Sequence, residues 1–511
     1  MKAITAKQQA KRKRRILRRL RKKQWADQAE PMLSASNIHY EVAGRTRGIS
    51  YGGIGVVHLL ARQTGLIKAI DGNLNLLKRH LPYHESDHVL NLAYNILSGG
   101  TCIEDLELLR NDENYLDALG APRIPDPTTE GDFCRRFTEA DVEKLMDAIN
   151  EIRIEVWRQQ PKEFFEEAII EVDGVLASTT GECKAGMDIA YNGQWGYHPL
   201  VVSLANTAEP LFLVNRRGNR PSHEGASRRI DQAKEICRRA GFRKIVVRGD
   251  TDFSQTAHLD RWDADGMTFV FGIDAMPNLV QIADSLPDKA WKRLKRPAKY
   301  EVKTSPRARP ENVKEQIVVS RRFRNIGLFS EMVAEFDYRP TACRKTYRIV
   351  VLCKNLTVSE GKDLLFDDLR YFFYLTNDRA SPAEGIVFSA NKRCDQENLN
   401  AQLKSGVWAL RMPVDTLVGN WAYMVMASLA WTLKAWLALL LPERGRWKAK
   451  HRAEKRALLR MEFKTFLNAL MRLPCQIVRT GRRIVYRLLS WNPWQSVLLR
   501  AVEALRRPLR C

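Results

Sequence analysis

Two aspartates stand out in the sequence because each lies in or directly after an apolar segment. Asp173 lies inside IIEVDGV, and Asp250 closes KIVVRGD. A carboxylate within an apolar strand is costly unless it is paired or binds a cation, and ligand groups often lie where sheet strands end. Both positions therefore indicate a functional site. Alternatively, Asp173 ends its strand in a turn with Gly174, and Asp250 caps the next helix, with Asp252 able to take its functional place.

A third acid, Glu397, lies in the segment NKRCDQENLNAQLKSG. At roughly 100° per residue, a helix would place Arg393, Glu397, Asn400 and Lys404 on one face. Such a face is typical of a solvated, salt-bridged helix surface. That is the commoner case, but the face could also present a metal ligand with phosphate contacts on either side.

Two aspartates from strands and one glutamate from a later helix form a set of ligands that hard divalent cations accept. Mg²⁺ prefers oxygen ligands and keeps positions for water and phosphate oxygens. Two such ions, about 3.5–4 Å apart, can activate a water or a 3′-hydroxyl and stabilise the leaving oxygen. The three acids are therefore consistent with phosphodiester chemistry on DNA.

The segments that must position these acids change in character along the chain. Residues 50–160 show apolar residues at helical spacing, with one helix expected over 128–149. From about residue 166, hairpin-like strand patterns give way to strand–helix–strand alternation, which predicts a mixed α/β sheet. The strand-like runs are AIIEVDGVLAS (168–178), PLVVSLA (199–205), LFLVN (211–215), KIVVRGD (244–250) and TFVFGID (268–274).

A second group of β-rich segments follows the central runs. Residues 285–365 alternate apolar and polar positions and are flanked by basic loops, which indicates a β-rich insertion. Residues 371–378 are expected to form one more strand. A long helix, expected over 382–406, then carries Glu397.

The charge of the chain is concentrated at its two ends. The 511 residues have a net charge of +24. Residues 1–25 contribute +12 and residues 443–511 contribute +14, whereas residues 26–442 sum to −2. Ordinary hydrophobic and charged fractions (45% and 28%) exclude a wholly disordered or fibrous chain. Basic ends on a nearly neutral body predict a polyanionic partner, most commonly nucleic acid.

Cysteine usage and hydropathy indicate a protein of the reducing cytosol. The nine cysteines are scattered without a CxxC pair, so neither a zinc ribbon nor a disulfide framework is predicted. The basic N-terminus lacks the apolar segment of a signal peptide. Residues 421–441 are long and apolar enough to cross a membrane, but Lys434 lies inside them, which favours a buried core helix.

Two further groups of residues allow a functional and a structural interpretation. His80, His84 and His88, with Asp87, have a helical spacing that suits zinc, but Pro82 interrupts the segment, and structural roles are favoured. The aromatic residues of AYNGQWGYHPL predict either a folded β-turn core or a platform for stacking bases. They are Tyr191, Trp195 and Tyr197.

The motifs together resemble the DDE transposases of bacterial insertion sequences, in the hairpin-forming class with a Tyr-Arg-Glu-Lys signature. Within that class, the sequence is most similar to insertion-sequence family thirteen-eighty, over about residues 30–440. Arg393, Glu397 and Lys404 match the signature's spacing, whereas Ala390 stands at its tyrosine position. The remaining motifs are VDGV (172–175), GYHPLVV (196–202), VRGDTDF (247–253) and KRCDQENLNAQLK (392–404).

This resemblance implies an α/β fold: a ribonuclease-H-like mixed sheet core with a β-rich insertion, preceded by a helical DNA-binding region. Asp173, Asp250 and Glu397 would bind two Mg²⁺ ions, for which Mn²⁺ can substitute. Arg393 and Lys404 would bind DNA phosphates near the cleaved bond. Cleavage would pass through a hairpin at the transposon end, with a base flipped onto an aromatic ring.

The expected partners are double-stranded DNA, as terminal inverted repeats and target, and further copies of this chain, with no membrane. The basic ends would contact phosphates, and residues 128–146 are the first choice for reading the major groove. The expected location is the cytoplasm, on the nucleoid. A metal-dependent nuclease with the same core and a DNA-binding relative without activity stay open as alternatives.

These expectations divide the chain into six parts. They are a basic tail (1–25), a helical DNA-binding region (26–165), the first part of the catalytic core (166–274), the β-rich insertion (275–370), the rest of the core with the acidic helix (371–442) and a basic helical C-terminal region (443–511).

Overall fold

The fold combines many helices with one large sheet. The computed structural model describes residues 3–21, 32, 35, 38–42, 44, 46–80, 82–296, 313–360, 363–481 and 483–507. Its α-helices are α1 (Ala3–Arg19), α2 (Ile54–Gln63), α3 (Leu66–Asn73), α4 (Glu85–Leu97), α5 (Leu106–Arg110), α6 (Glu113–Leu119), α7 (Pro127–Arg135), α8 (Glu139–Arg158), α9 (Ala226–Ala240), α10 (Leu259–Ala264), α11 (Pro277–Asp284), α12 (Val313–Ser320), α13 (Ala383–Asn391), α14 (Cys394–Ala401), α15 (Leu417–Leu439), α16 (Lys448–Arg460), α17 (Phe463–Phe466) and α18 (Gln495–Leu505). Its strands are β1 (Gly48–Ile49), β2 (Glu167–Gly174), β3 (Ala177–Ser178), β4 (Asp188–Ile189), β5 (Trp195–Tyr197), β6 (Leu200–Leu204), β7 (Glu209–Val214), β8 (Lys244–Gly249), β9 (Thr268–Ile273), β10 (Lys292–Arg293), β11 (Arg324–Tyr338), β12 (Tyr347–Glu360), β13 (Asp363–Thr376), β14 (Cys475–Thr480) and β15 (Arg483–Leu488).

Nine of the described strands form one mixed sheet in the order β10-β11-β12-β13-β9-β8-β2-β6-β7. Strands β2, β8 and β9 run parallel to one another, and every other neighbouring pair is antiparallel. The central strands are near-continuous apolar runs because helices cover both faces of the sheet there. The mixed α/β fold predicted from the alternating strand and helix patterns is confirmed.

The longest helix, α15, is buried in the core. Thr416 caps its first turn by accepting a hydrogen bond from the backbone N–H of Gly419 (3.1 Å). This described helix is long and apolar enough to cross a membrane, yet its most apolar stretch is wholly buried within the fold. Lys434, the charge inside it, donates from Nζ to the carbonyl of Leu459 (2.9 Å). A helix that is apolar all round is typical of a protein core. This burial agrees with the core helix that the position of Lys434 predicts.

Two helices expected from the sequence are each divided in the structure. The helix expected over 128–149 splits into α7 and α8, because Thr138 begins a new helix. The Thr138 Oγ1 accepts from the backbone N–H of Asp141 (3.3 Å), and Asp141 Oδ2 accepts from the backbone N–H of Thr138 (3.2 Å). This reciprocal capping makes a new N-terminus more favourable than continuation of α7.

The helix expected over 382–406 is divided into α13 and α14. The backbone N–H of Arg393 bonds to the carbonyl of Ala390 (3.1 Å), while the carbonyl of Ser389 accepts instead from Arg248 Nη1 (2.8 Å). The buried side chain of Arg248 thus occupies the carbonyl of Ser389, which would accept from the backbone N–H of Arg393 in a continuous helix. The strand expected over 371–378 begins earlier, at Asp363, because β13 pairs with β12 along its length.

The N-terminal and C-terminal segments meet in space. Strand β1 pairs with β14, and β14 pairs with β15 to form a three-stranded sheet. Arg12 Nη1 on α1 donates to the carbonyl of Leu488 (2.7 Å). The two basic ends, separated by more than 400 residues in sequence, therefore lie side by side.

Candidate active site

The sheet register places Asp173 and Asp250 next to each other. Asp173 lies near the end of β2, and Asp250 directly follows β8, its parallel neighbour. Glu171 on β2 pairs in register with Arg248 on β8. Because residues i and i+2 of a strand share a face, the two aspartates continue the same face beyond that pair. Asp250 also caps a turn, since its Oδ1 accepts from the backbone N–H of Asp252 (3.2 Å).

The start of α14 brings a cation and an amide to these carboxylates. Arg393 Nη1 lies 3.5 Å from Asp173 Oδ1 and 3.2 Å from Asp250 Oδ2. Further along the same helical face, Asn400 Nδ2 donates to Asp173 Oδ2 (2.7 Å). Two of the four residues that the sequence placed on one face of this helix thus contact the aspartates.

Burial disfavours the charged forms of both carboxylates. Burial, opposed by Arg393 and reinforced by the charge of Asp250, raises the pKa of Asp173 to about 6. Burial also raises the pKa of Asp250, again opposed by Arg393 and reinforced by the charge of Asp252. A single guanidinium therefore does not fully offset the loss of hydration of the pair.

The other two predicted residues of this helix, Glu397 and Lys404, are exposed. Gln396 and Leu399 are the side chains that α14 buries, and they turn Glu397 toward solvent beside Arg393 and Asn400. Within the described residues, no hydrogen bond or ion pair joins Glu397 to either aspartate. Its place as a third acidic ligand stays a prediction.

The aspartate pair is chemically suited to a divalent cation. Its donors are carboxylate oxygens, the ligands that Mg²⁺ prefers, and both pKa values are raised, so a bound cation would relieve the repulsion. Over the part of the chain that the structure describes, no three His, Cys, Asp or Glu side chains are grouped so as to hold a metal ion. Among the described residues, Asp173 and Asp250 therefore meet as a pair, without a third side chain that would complete a metal-binding group.

Comparison with known proteins identifies the family of the chain. Residues 30–509 match the family described as transposase DDE domain group 1. The chain belongs to this family. It is therefore an enzyme of the DDE transposase type. No curated protein sequence matches the chain. A solved structure of piggyBac transposase, a synaptic complex with hairpin DNA, aligns with 10% identity over 83% of this chain and 82% of that chain, at a TM-score of 0.35.

A buried ion pair supports the aspartates of this DDE family member from below. Arg248 Nη2 lies 2.5 Å from Glu171 Oε1, and both side chains are almost fully buried. Burial, opposed by Arg248, raises the pKa of Glu171 to about 7. Because Arg248 also holds the carbonyl of Ser389, the pair ties β2 and β8 to α13. Sequence reasoning missed this pair, although Glu171 and Asp173 show the i, i+2 spacing of one strand face.

His198 was also missed, and it packs against the residue that follows Asp173. Its Nδ1 lies 2.8 Å from the carbonyl of Arg220, so Nδ1 carries the proton of a neutral ring; burial lowers the pKa of His198. A Cβ on Gly174 would lie only 2.7 Å from His198 Nε2. The close approach explains why glycine follows Asp173, and the GYHPLVV motif was the signal available.

The histidines whose spacing would suit zinc have structural partners. His80 Nε2 lies 3.1 Å from Glu85 Oε2, and the rings of His80 and His84 stack with centroids 4.1 Å apart. His88 is buried, and its Nδ1 lies 3.2 Å from Glu130 Oε2. The favoured structural interpretation of these histidines agrees with these contacts.

The aromatic cluster at 191–197 is divided between core and surface. Tyr197 is buried, and its hydroxyl donates to the carbonyl of Ala185 (2.9 Å). Tyr191 and Trp195 are exposed.

The described cysteines are all free thiols, in agreement with the expectation that no disulfide framework is present among them. They are Cys102, Cys134, Cys183, Cys237, Cys343, Cys353, Cys394 and Cys475. Cys511 lies outside the described residues.

Proposed function

We propose that this enzyme cuts DNA at insertion-sequence ends and joins them to target DNA by metal-dependent phosphodiester chemistry. The observation that carries the proposal is the pair Asp173 and Asp250, which meets at the ends of two adjacent parallel strands with Arg393 between the carboxylates. Family membership supplies the reaction class. The pair supplies a place on this chain where that reaction can occur.

Asp173, Asp250 and Glu397 are proposed to hold two Mg²⁺ ions, with Mn²⁺ able to substitute. When bound, such ions activate a water or a 3′-hydroxyl and stabilise the leaving oxygen. The position of Glu397 on α14 supports its assignment, because Arg393 and Asn400 on either side both contact Asp173. Burial raises the pKa of both aspartates, and a bound cation would favour their charged forms.

Arg393 and Lys404 are proposed to bind DNA phosphates beside the cleaved bond. With both aspartates ligating a cation, the guanidinium of Arg393 would be free to bind a phosphate oxygen. Lys404 is exposed on the π-helical segment Gln402–Gly406 that follows α14, where a phosphate can reach it. Ala390 stands at the signature's tyrosine position and offers no hydroxyl to a phosphate.

The strand order supports a ribonuclease-H-like core. The strands β7-β6-β2-β8-β9 are neighbours, so the first five long strands follow the spatial order 3-2-1-4-5. By the same resemblance we propose membership of insertion-sequence family thirteen-eighty, cut-and-paste transposition through a hairpin, and a homo-oligomer on DNA. We also propose a cytoplasmic, nucleoid-associated location, with no membrane partner.

The basic ends and the helical region are proposed to bind the terminal repeats. Since α1 and β15 touch, phosphate contacts from both basic ends would fall on one continuous surface. A substitution that removes one phosphate-binding side chain should lower the log–log salt slope of binding by about 0.9. Reading of the major groove by residues 128–146 stays our choice, now divided between α7 and α8.

An excision assay tests the proposal directly. The gene with its native flanking DNA is induced, and the empty or rejoined donor site is amplified for the wild type and for Glu397→Gln. Asp395→Asn, an exposed acid on the same helix, serves as the matched control. We expect product from the wild type and the control but none from Glu397→Gln. Product from Glu397→Gln would place the third ligand elsewhere.

The two alternatives give different products. A metal-dependent nuclease would cleave without strand transfer, and an inactive relative would bind DNA without cleaving it. Purified Asp173→Ala should bind DNA in all three cases. Cleavage by the wild type that Asp173→Ala abolishes would exclude the inactive relative, and a strand-transfer product would exclude the simple nuclease.

A further inference from the structure

A small sheet projects from the end of the strand that carries Asp173. Strands β3, β5 and β4 form it in that order, and all three lie between β2 and β6 in the chain. The backbone N–H of Val175 bonds to the carbonyl of Pro199 (2.9 Å), which ties the base of this small sheet to the site. The base of the small sheet therefore adjoins the strand end that carries Asp173.

Tyr191 lies in the turn between β4 and β5. The backbone N–H of Ala190 bonds to the carbonyl of Gln194 (2.8 Å), and Gly193 takes the left-handed conformation (φ 80°) that closes the turn. The side chain of Tyr191 is nevertheless 85% exposed, among the highest values for an apolar or aromatic residue here. A closed turn thus holds an aromatic ring out in solvent.

Neighbouring contacts connect this ring to the candidate active site. The ring centroids of Tyr191 and His198 are 6.3 Å apart, with an interplanar angle of 47°. His198 in turn packs against Gly174, the residue after Asp173. The buried side chain of His198 therefore lies between Tyr191 and the backbone of the residue that follows Asp173.

The surroundings of the ring suit a nucleic acid strand. Trp195, on the adjoining strand β5, is 52% exposed. Arg217 forms a backbone bridge with Tyr197, and the Arg220 carbonyl accepts from His198; both arginine side chains are exposed. Exposed aromatic rings beside cationic side chains are the features by which proteins stack bases while contacting the phosphates between them.

We propose that Tyr191 is a stacking platform for a nucleobase of the DNA strand held at Asp173 and Asp250. The inference rests on the proposed function, because it takes DNA as the substrate. Stacking on one ring strengthens binding of an unpaired base by about 5- to 150-fold and is indifferent to sequence. Tyr191 contacts a base, not the reacting phosphate, so it is a positioning residue.

The test compares two labelled oligonucleotides of equal charge: a 20-nucleotide oligo-dT, and the same backbone with abasic sites. Fluorescence anisotropy measures binding of each to the full-length protein in EDTA. We expect the wild type and Tyr191→Phe to prefer oligo-dT and Tyr191→Ala to lose at least about 5-fold of that preference. The salt slope should not change, because the substitution leaves every phosphate-binding side chain in place.

A matched control excludes a general effect of removing exposed aromatic surface. Phe329 is 73% exposed on β11, five strands away from β2 in the sheet, and Phe329→Ala should keep the preference. An unchanged preference in Tyr191→Ala, or a wild type that does not distinguish the two oligonucleotides, would overturn the platform. Duplex DNA is measured in parallel: failure of the wild type to bind any DNA would refute the proposed function itself.

Discussion

The substitution Asp173→Asn should stabilise the protein while removing its activity. In the absence of a divalent cation, Asp173 is only 14% exposed and shares one guanidinium with Asp250. Raising the pKa of its carboxyl from 3.8 to about 6 corresponds to at most about 3 kcal/mol lost from the free energy of unfolding at neutral pH. The amide removes this charge, while its oxygen can still accept the hydrogen bond from Asn400.

The pH dependence follows from the direction of the shift. Because the pKa of Asp173 is raised in the folded state, the folded protein binds more protons than the unfolded chain between about pH 4 and pH 6. The wild type therefore loses stability as pH rises through that window, and the full penalty persists above it. The variant lacks the penalty, so its advantage should be small at pH 4.5 and full at pH 7.5.

The measurement is thermal unfolding in EDTA at one scan rate. With about 2.1 cal/mol/K of unfolding entropy per residue, a chain of 511 residues shifts by about 1 °C per kcal/mol, so we expect Tm to rise by up to about 3 °C at pH 7.5. Added Mg²⁺ should raise the Tm of the wild type more than that of the variant. Asp288→Asn, which changes an exposed aspartate on a different segment of the chain, is the control. A lower Tm for Asp173→Asn, or a difference that is the same at both pH values, would refute the reasoning.

Three further substitutions test the packing around the site and in the core. Gly174→Ala adds a Cβ that would lie 2.7 Å from His198 Nε2, so excision should fall strongly while DNA binding, measured by gel shift, stays within about twofold. Glu209→Ala leaves the buried Arg153 guanidinium without its 3.1 Å partner, and the free energy of unfolding should fall by about 3–5 kcal/mol, seen as a lower Tm and less soluble protein; an unchanged Tm would contradict it. Burial lowers the pKa of Lys434 from 10.5 to about 7. The folded protein therefore releases this proton at a lower pH than the unfolded chain does. At pH 6 the folded protein buries a charged ammonium, whereas at pH 9.5 it buries a neutral amine. Lys434→Met should therefore raise Tm more at pH 6 than at pH 9.5. Equal changes of Tm at the two pH values would contradict this prediction.

The elements around the site could be predicted because their signals are local. The apolar runs that predicted β2, β6, β7, β8 and β9 became strands of the sheet. Asp173 and Asp250 interrupt or end such runs, and this alone marked them as candidates. An acid in an apolar strand is conspicuous in any fold, since its desolvation must be compensated somewhere.

The helix boundaries could not be predicted as well, because competing partners set them. Thr138 and Asp141 form a capping box that begins α8. The apolar spacing on both sides of it predicted one continuous helix instead. The break before α14 has no comparable local signal. It accompanies the hydrogen bond from Arg248 to the carbonyl of Ser389, and those residues are 141 positions apart.

The residues capable of chemistry and the location of the charge could be read from the amino-acid sequence: the aspartates, the basic and acidic face of the later helix, and two basic ends. The partners of these residues depend on how the chain folds. The tertiary structure placed Arg393 and Asn400, but not Glu397, against the aspartates, Glu171 and Arg248 beneath them, and α1 beside β15. The physical reason is that propensity and periodicity act over a few residues. Contacts between distant residues depend instead on strand register and on which buried groups satisfy one another.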